Sequence, residues 1–362
     1  MISVQAGFRA VFMACGKRAL AFSALVLSAL LLWPAGVVHG VDFSARAQVD
    51  DDRVEINAME YPWSAIGRVN AGGRGHCTGF LVGERHVLTA AHCLYDPRAG
   101  RWRGAIEIHF IAGYQRDRYI LHSKVTSYRR AKAFTYTLEP TAQAAVRDWA
   151  ILTLEKPLGR QAGWLGMRKL DGLMGSRIRA GDALLLQAGY RRDRAHVMTA
   201  GWGCRIHTVA QRGRLITHDC SVIKGDSGSP LLLYADGAFY AVGLHVVDLR
   251  TPDNVALAGV LSLGLFHPDG GERDAASALS QAALRWTDGQ PPQAGSEAAT
   301  LPLVTIDSLL RRLGYLQGGD DLRAKEERRA LALSRFQADS GLTNNGHASL
   351  AMLGRLLLAT PR

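Results

Sequence analysis

A chain of 362 residues with 48% hydrophobic and 21% charged positions holds enough apolar material for one large core and a second small unit, which excludes a disordered or low-complexity protein. The formal net charge of +11 is scattered along the chain and no recognition motif accompanies it, so nucleic acid is excluded as the expected partner. Adhesion to anionic cell-wall polymers or membrane surfaces, or plain solubility, accounts for the basic character. In chain order, Arg9, Lys17 and Arg18 precede the apolar run Ala19–Trp33, and no acid occurs before Asp42. That is the pattern of an export signal cut after Gly40. Extended to Val38, the stretch approaches spanning length, so a retained anchor is the alternative. Pro34 and the small residues beyond it favour cleavage, after which no stable membrane span is expected. Residues 41–53 are polar and acidic toward their end, and read either as a removable leader or as a linker.

From Tyr61 onward, short apolar runs alternate with turn residues: Thr78–Val82, Ile106–Ile111, Ala183–Gln187, Pro230–Tyr234 and Ala241–His245. Many short strands without a long amphipathic helix predict an all-β barrel or sandwich. Three stretches within this region carry chemistry: Thr89-Ala-Ala-His-Cys93, Asp148-Trp-Ala-Ile-Leu-Thr-Leu154, and Asp219-Cys-Ser-Val-Ile-Lys-Gly-Asp-Ser-Gly-Ser-Pro230. In the last, Ser227 stands between two glycines on a predicted turn. A serine hydroxyl is a weak nucleophile at neutral pH, so the turn has meaning only with a base and an oxyanion site beside it. Once Cys15 departs with the signal, four cysteines remain; none shows Cys-x-x-Cys spacing, so a zinc site is not expected, nor any other metal or cofactor.

The order His, Asp, Ser and these three local sequences resemble the chymotrypsin/trypsin-like serine peptidases over about Val54–Leu265. The resemblance implies two six-stranded barrels, the first carrying His92 and Asp148, the second Ser227, with a cleft between them. It makes His92 the general base, Asp148 the residue that fixes its tautomer, and the backbone N–H groups of Gly225 and Ser227 the oxyanion hole. It pairs Cys77 with Cys93, which leaves Cys204 and Cys220 to each other. It also implies activation by a cut after Arg53, the new terminus at Val54 inserting to pair with Asp226. In this family an aspartate six residues before the nucleophile selects Arg or Lys; here the position is Ser221, which disfavours basic substrates. His245, within Val242-Gly-Leu-His-Val246, and Thr217-His-Asp-Cys220 resemble the glutamyl endopeptidase branch, where such a histidine receives an acidic side chain. Val222 adds an apolar wall against that preference, and a small or mixed polar-apolar preference is the alternative.

Residues 286–302 change composition to Gly, Pro, Gln and Ser and read as a linker. Beyond it Ile306, Leu309, Leu310 and Leu313, then Ala330, Leu333 and Phe336, then Leu350, Leu353 and Leu356 recur at helical spacing. These three short helices, with Ser334-Arg-Phe-Gln-Ala-Asp-Ser-Gly-Leu342, resemble the small peptidoglycan-binding-like domain of exported bacterial enzymes. Asp320–Glu327 replaces the glycine-containing loop usual before the second helix, so a plain three-helix packing module is the alternative. The expected organisation is therefore a signal peptide at 1–40, a leader at 41–53, a trypsin-like domain at 54–285, a linker at 286–302 and a helical domain at 303–362. The expected function is an exported serine endopeptidase, secreted or periplasmic, acting on protein or peptide substrates through an acyl-enzyme, with peptidoglycan as a further partner. A catalytically silent, peptidase-like binding protein of the cell envelope is the alternative. An esterase or transpeptidase is a third reading, but its α/β-hydrolase form is excluded by the order of the motifs.

Overall fold

The computed structural model describes residues 53–72, 75–236, 238–250, 256–263, 303–318 and 322–359. The signal at 1–40, most of the leader and the linker at 286–302 lie outside them. Strands Ile66–Ala71, His76–Leu81, His86–Thr89, Ala150–Leu154, Leu121–Arg130 and Ile108–Ala112 pair in that order and close into a six-stranded barrel. The two-residue side-chain period of a strand is visible in Ile108–Ala112, where Ile108, Phe110 and Ala112 are buried while His109 and Ile111 are half-buried. Phe80, Phe110 and Leu152 fill the interior without solvent exposure.

The second half differs from the expected barrel. Among the described residues nine strands form a sheet that does not close, with Val54–Glu55 at one end, then Thr199–Trp202, Leu184–Gly189, Pro230–Ala235, Ala238–Arg250, Ala256–Ser262, Leu215–His218 and Ile206–Ala210 at the other; Gly166–Met167 adds in parallel to Ala238–Arg250. The physical reason lies at the two ends. Thr199–Trp202 gives its outer edge to Val54–Glu55, while Ile206–Ala210 is largely solvent-facing, with Val209 60% exposed. The ends therefore do not meet across the sheet. Ring packing joins the two halves, since Trp63 contacts Trp202 and Phe239 edge-on at centroid distances of 5.8 and 5.5 Å.

The three expected C-terminal helices are present as Leu303–Arg312, Leu322–Asp339 and Leu350–Ala359. Ile306, Leu310, Leu333, Phe336, Leu353 and Leu356 from all three bury together, and Arg329 donates to the buried Asp307 at 2.9 Å. The third helix lies on the second sheet at Gly354, where an added Cβ would sit 2.9 Å from the carbonyl oxygen of Gly181 and 3.0 Å from Leu184 Cδ2. Gly354→Leu should therefore force the helix off this backbone, at a cost of about 1–3 kcal/mol. Thermal unfolding and limited proteolysis check it: the variant is expected to melt lower and to release residues 303–359 sooner than the parent.

Candidate active site

Strand pairing brings His92 and Asp148 together. Thr89 stands opposite Ala150 in an antiparallel pair, so the residues just after the first strand and just before the second emerge at the same end of the barrel. His92 lies in the helical turn Ala91–Leu94, and Asp148 follows the turn Ala142–Ala145 that Thr141 caps through its hydroxyl. Asp148 then holds the histidine twice: its Oδ1 accepts from the His92 backbone N–H at 2.8 Å and its Oδ2 from Nδ1 at 2.6 Å. The remaining ring nitrogen, Nε2, is the one left to act. Burial alone would lower the His92 pKa, but the Asp148 charge and hydrogen bond, with a smaller contribution from Asp248, carry it above the ordinary imidazole value.

Ser227 reaches the same end from the second half. Its carbonyl oxygen accepts from Thr78 N–H at 2.9 Å, one residue from Cys77, which is bridged to Cys93 beside His92. Gly228 presses on the His92 approach itself, since an added Cβ there would lie 2.9 Å from the Ala90 nitrogen and 2.2 Å from the Thr78 carbonyl oxygen. Gly225 has φ +102°, and a Cβ would stand 2.4 Å from the Tyr190 carbonyl oxygen. Both positions admit only glycine. The Lys224 carbonyl accepts from Arg192 N–H at 2.7 Å, which turns the next peptide N–H, that of Gly225, the opposite way. Neither Gly225 N–H nor Ser227 N–H donates to another described residue.

Both expected disulfides are formed, Cys77–Cys93 and Cys204–Cys220, each closing a separation of 16 residues. By loop length each contributes about 3 kcal/mol.

Arg53, Val54 and Asp226, the expected activation residues, are found here in the uncut chain. Asp226 is wholly buried, and its partner is the Arg53 guanidinium, whose Nη1 donates to Oδ2 at 2.8 Å. Val54, still joined to Arg53 by a peptide bond, sits opposite Ala200 in a strand pair. Removing one member of such a buried pair costs about 3–5 kcal/mol, because the other charge stays behind uncompensated.

Ser221, Val222 and His245 are each about 1% exposed. His245 lies beside the Ser227 turn, since its carbonyl accepts from Gly228 N–H and its N–H donates to Ser229, both at 2.8 Å. Its Nε2 is bonded to Asp248 Oδ1 at 3.0 Å. Burial would raise the Asp248 carboxyl, but the His245 hydrogen bond and charge, with those of His92 and Lys224, hold it below the usual carboxylate range. His218, behind His245, is pushed down to about 3 by burial and by the His245 charge, and stays neutral.

Three residues of this site escaped the sequence reading: Thr78, Lys224 and Asp248. Thr78 is wholly buried and its hydroxyl donates to the Gly225 carbonyl at 2.9 Å while accepting from Tyr190 N–H at 3.0 Å. Its only sequence signal was adjacency to Cys77. Asp248 lies three residues past His245, a strand spacing that sequence alone does not tie to the site.

Asp148→Asn removes the charge that raises His92, so the imidazole pKa should fall. The measurement is NMR titration of the His92 ring; an unchanged midpoint would show that Asp148 does not govern it.

A family model described as Trypsin matches residues 51–260. A glutamyl endopeptidase of Bacillus licheniformis is 28% identical over 119 residues, which is 32% of this chain and 34% of that protein. The human protein Serine protease 23 is 50% identical over 38 residues, 10% of this chain and 9% of the relative. The chain thus spans about a third or less of the length of these curated relatives. Among solved structures, a Glu endopeptidase in complex with MPD has a TM-score of 0.47 at 18% identity, covering 65% of this chain and 97% of its own. With more than half of its length matched by that one family model, the chain belongs to the trypsin family of serine endopeptidases.

Proposed function

We propose that the chain is an exported serine endopeptidase in which Ser227 attacks a peptide carbonyl, His92 takes its proton and returns it to the leaving amine, and Asp148 holds the imidazole. The observation that carries this reading is the double hydrogen bond from Asp148 to His92, which fixes Nδ1–H and leaves Nε2 as the base. The N–H groups of Gly225 and Ser227 serve as donors to the developing oxyanion. They are supported in that role by having no acceptor among the described residues and by the glycine-only turn that aims them. Two disulfides favour an oxidising compartment, in keeping with export.

The side chain preceding the cleaved bond is read as small or uncharged and polar. Ser221 Oγ and His245 Nδ1 are buried without a partner among the described residues, so a polar group that reaches them gains hydrogen bonds. An acidic group approaching His245 meets Asp248, which already holds Nε2 as an anion. A second reading, preference for Glu, is favoured by His245 itself, by the cation of Lys224 near Asp248, and by the activity in the name of the Bacillus relative. Attachment to cell-wall polymers through residues 303–362 belongs to the proposal on sequence likeness alone.

Ser227→Ala should lower turnover by about a million-fold and abolish labelling by an active-site phosphonate. Rates retained in that variant would remove the nucleophile assignment. The acid limb of kcat/KM should have its midpoint above 6.5, because the base must be neutral and its pKa is raised. A peptide library decides the pocket: enrichment of Glu that disappears in His245→Ala supports the second reading, whereas Glu cleavage appearing only in Asp248→Asn supports the first. Co-sedimentation of the whole protein with insoluble peptidoglycan is expected for wall attachment, and a protein that stays in the supernatant at low salt refutes it.

A further inference from the structure

We infer that Arg53 is a positioning residue for the Ser227 turn, and that turnover requires the Arg53–Val54 bond to remain intact. The inference rests on Ser227 as the nucleophile.

The Arg53 side chain is wholly buried, and its two terminal nitrogens donate to four acceptors on three segments. Nη1 donates to Asp226 Oδ2 at 2.8 Å and to the Ser221 carbonyl at 3.1 Å. Nη2 donates to the Thr199 carbonyl at 2.5 Å and to the Gly189 carbonyl at 3.5 Å. The surrounding backbone is shaped for this pair. A Cβ on Gly189 would lie 2.7 Å from Asp226 Oδ1, and one on Gly201 would lie 3.2 Å from Arg53 Cγ. A planar guanidinium with forked donors suits such a set, whereas an ammonium group presents its donors from one point.

Asp226 is the residue between Gly225 and Ser227, so whatever fixes its carboxylate fixes the two N–H groups on either side. Its Oδ2 accepts from Ile223 N–H at 3.1 Å as well as from Arg53, which closes the turn over residues 223–226. The counter-ion is thus already in place in the uncut chain. A cut after Arg53 would take the guanidinium away with the departing segment. The ammonium created at Val54 would have to leave the pair with Ala200, next to the bond from Ile56 N–H to the Met198 carbonyl, to replace it. The geometry therefore assigns any maturation cut to a position before Arg53.

The experiment labels protein purified with residues preceding Val54 still attached, using an active-site phosphonate, and determines the amino terminus of the labelled molecules by sequencing and intact mass. Labelled molecules that retain Arg53 support the inference; label confined to molecules beginning at Val54 overturns it. This readout needs no substitution and survives a variant that fails to fold. In parallel, Arg53→Ala should label about a hundredfold more slowly, the size of a misplaced oxyanion donor. Arg53→Lys should fall between it and the parent, and added guanidinium at non-denaturing concentration should restore part of the Arg53→Ala rate. A folded Arg53→Ala protein labelled as fast as the parent sinks the role of Arg53 alone. A parent that is never labelled, cut or uncut, and that hydrolyses peptides as well as its Ser227→Ala variant, instead sinks the nucleophile assignment and this inference with it.

Discussion

Residues 224–229 must satisfy backbone groups from both halves of the molecule at once, and the remainder of the site follows from that constraint. From the barrel side, Thr78 takes the Ser227 carbonyl through its N–H and the Gly225 carbonyl through its hydroxyl. From the sheet side, the His245 carbonyl accepts from Gly228 N–H and Arg192 N–H donates to the Lys224 carbonyl. A turn pinned at every second residue cannot relax, so small side chains and positive φ values are imposed where the two halves press closest. Among the described residues, the N–H groups at 225 and 227 are left by this pinning without an acceptor. Net, each of these bonds contributes about 1 kcal/mol to stability, but an unmade one in so buried a place costs more.

Beneath that turn lies a fully desolvated ion pair, and its location matters more than its strength. Buried pairs seldom add much stability over an apolar substitute of the same shape, whereas losing one partner is costly. A carboxylate between Gly225 and Ser227, the proposed oxyanion donors, is thus held by a cation supplied from far away in sequence. Here that cation belongs to the residue just before the first strand of the second sheet, so this hold is coupled to the pairing of Val54–Glu55 with Thr199–Trp202.

Two carboxylates act on His92 from different distances. Asp148 is in contact and sets the tautomer; Asp248 is engaged by His245 and adds a weaker field. Asp148 thus holds His92 while Asp248 holds His245 and reaches His92 through its field, with the neutral His218 close enough to feel His245. In this arrangement a histidine in the second sheet does not by itself declare an affinity for acids.

The sequence by itself determined the family and which residues are proposed to carry the chemistry, with the local element around each. Motifs such as Thr89–Cys93 and Lys224–Pro230 encode turn shape and reactive group together, and the three apolar-periodic stretches from residue 303 on encode helices through their period alone. Both disulfides were likewise within reach once the family was recognised. What only the tertiary structure decided were relations between distant segments. Among the described residues the second sheet runs from Val54–Glu55 to Ile206–Ala210 without closing, an order that no local pattern announces. Arg53 reads in sequence as a cleavage site, since a basic residue after acids is all that is visible there; that its side chain is buried against residue 226 depends on the sheet that brings positions 189, 199 and 221 around it. Asp248 and Thr78 were missed for the same reason. Periodicity and motif report on a residue's neighbours along the chain, while the counter-ion, the pocket wall and the hydrogen-bond hub are set by which strands lie side by side.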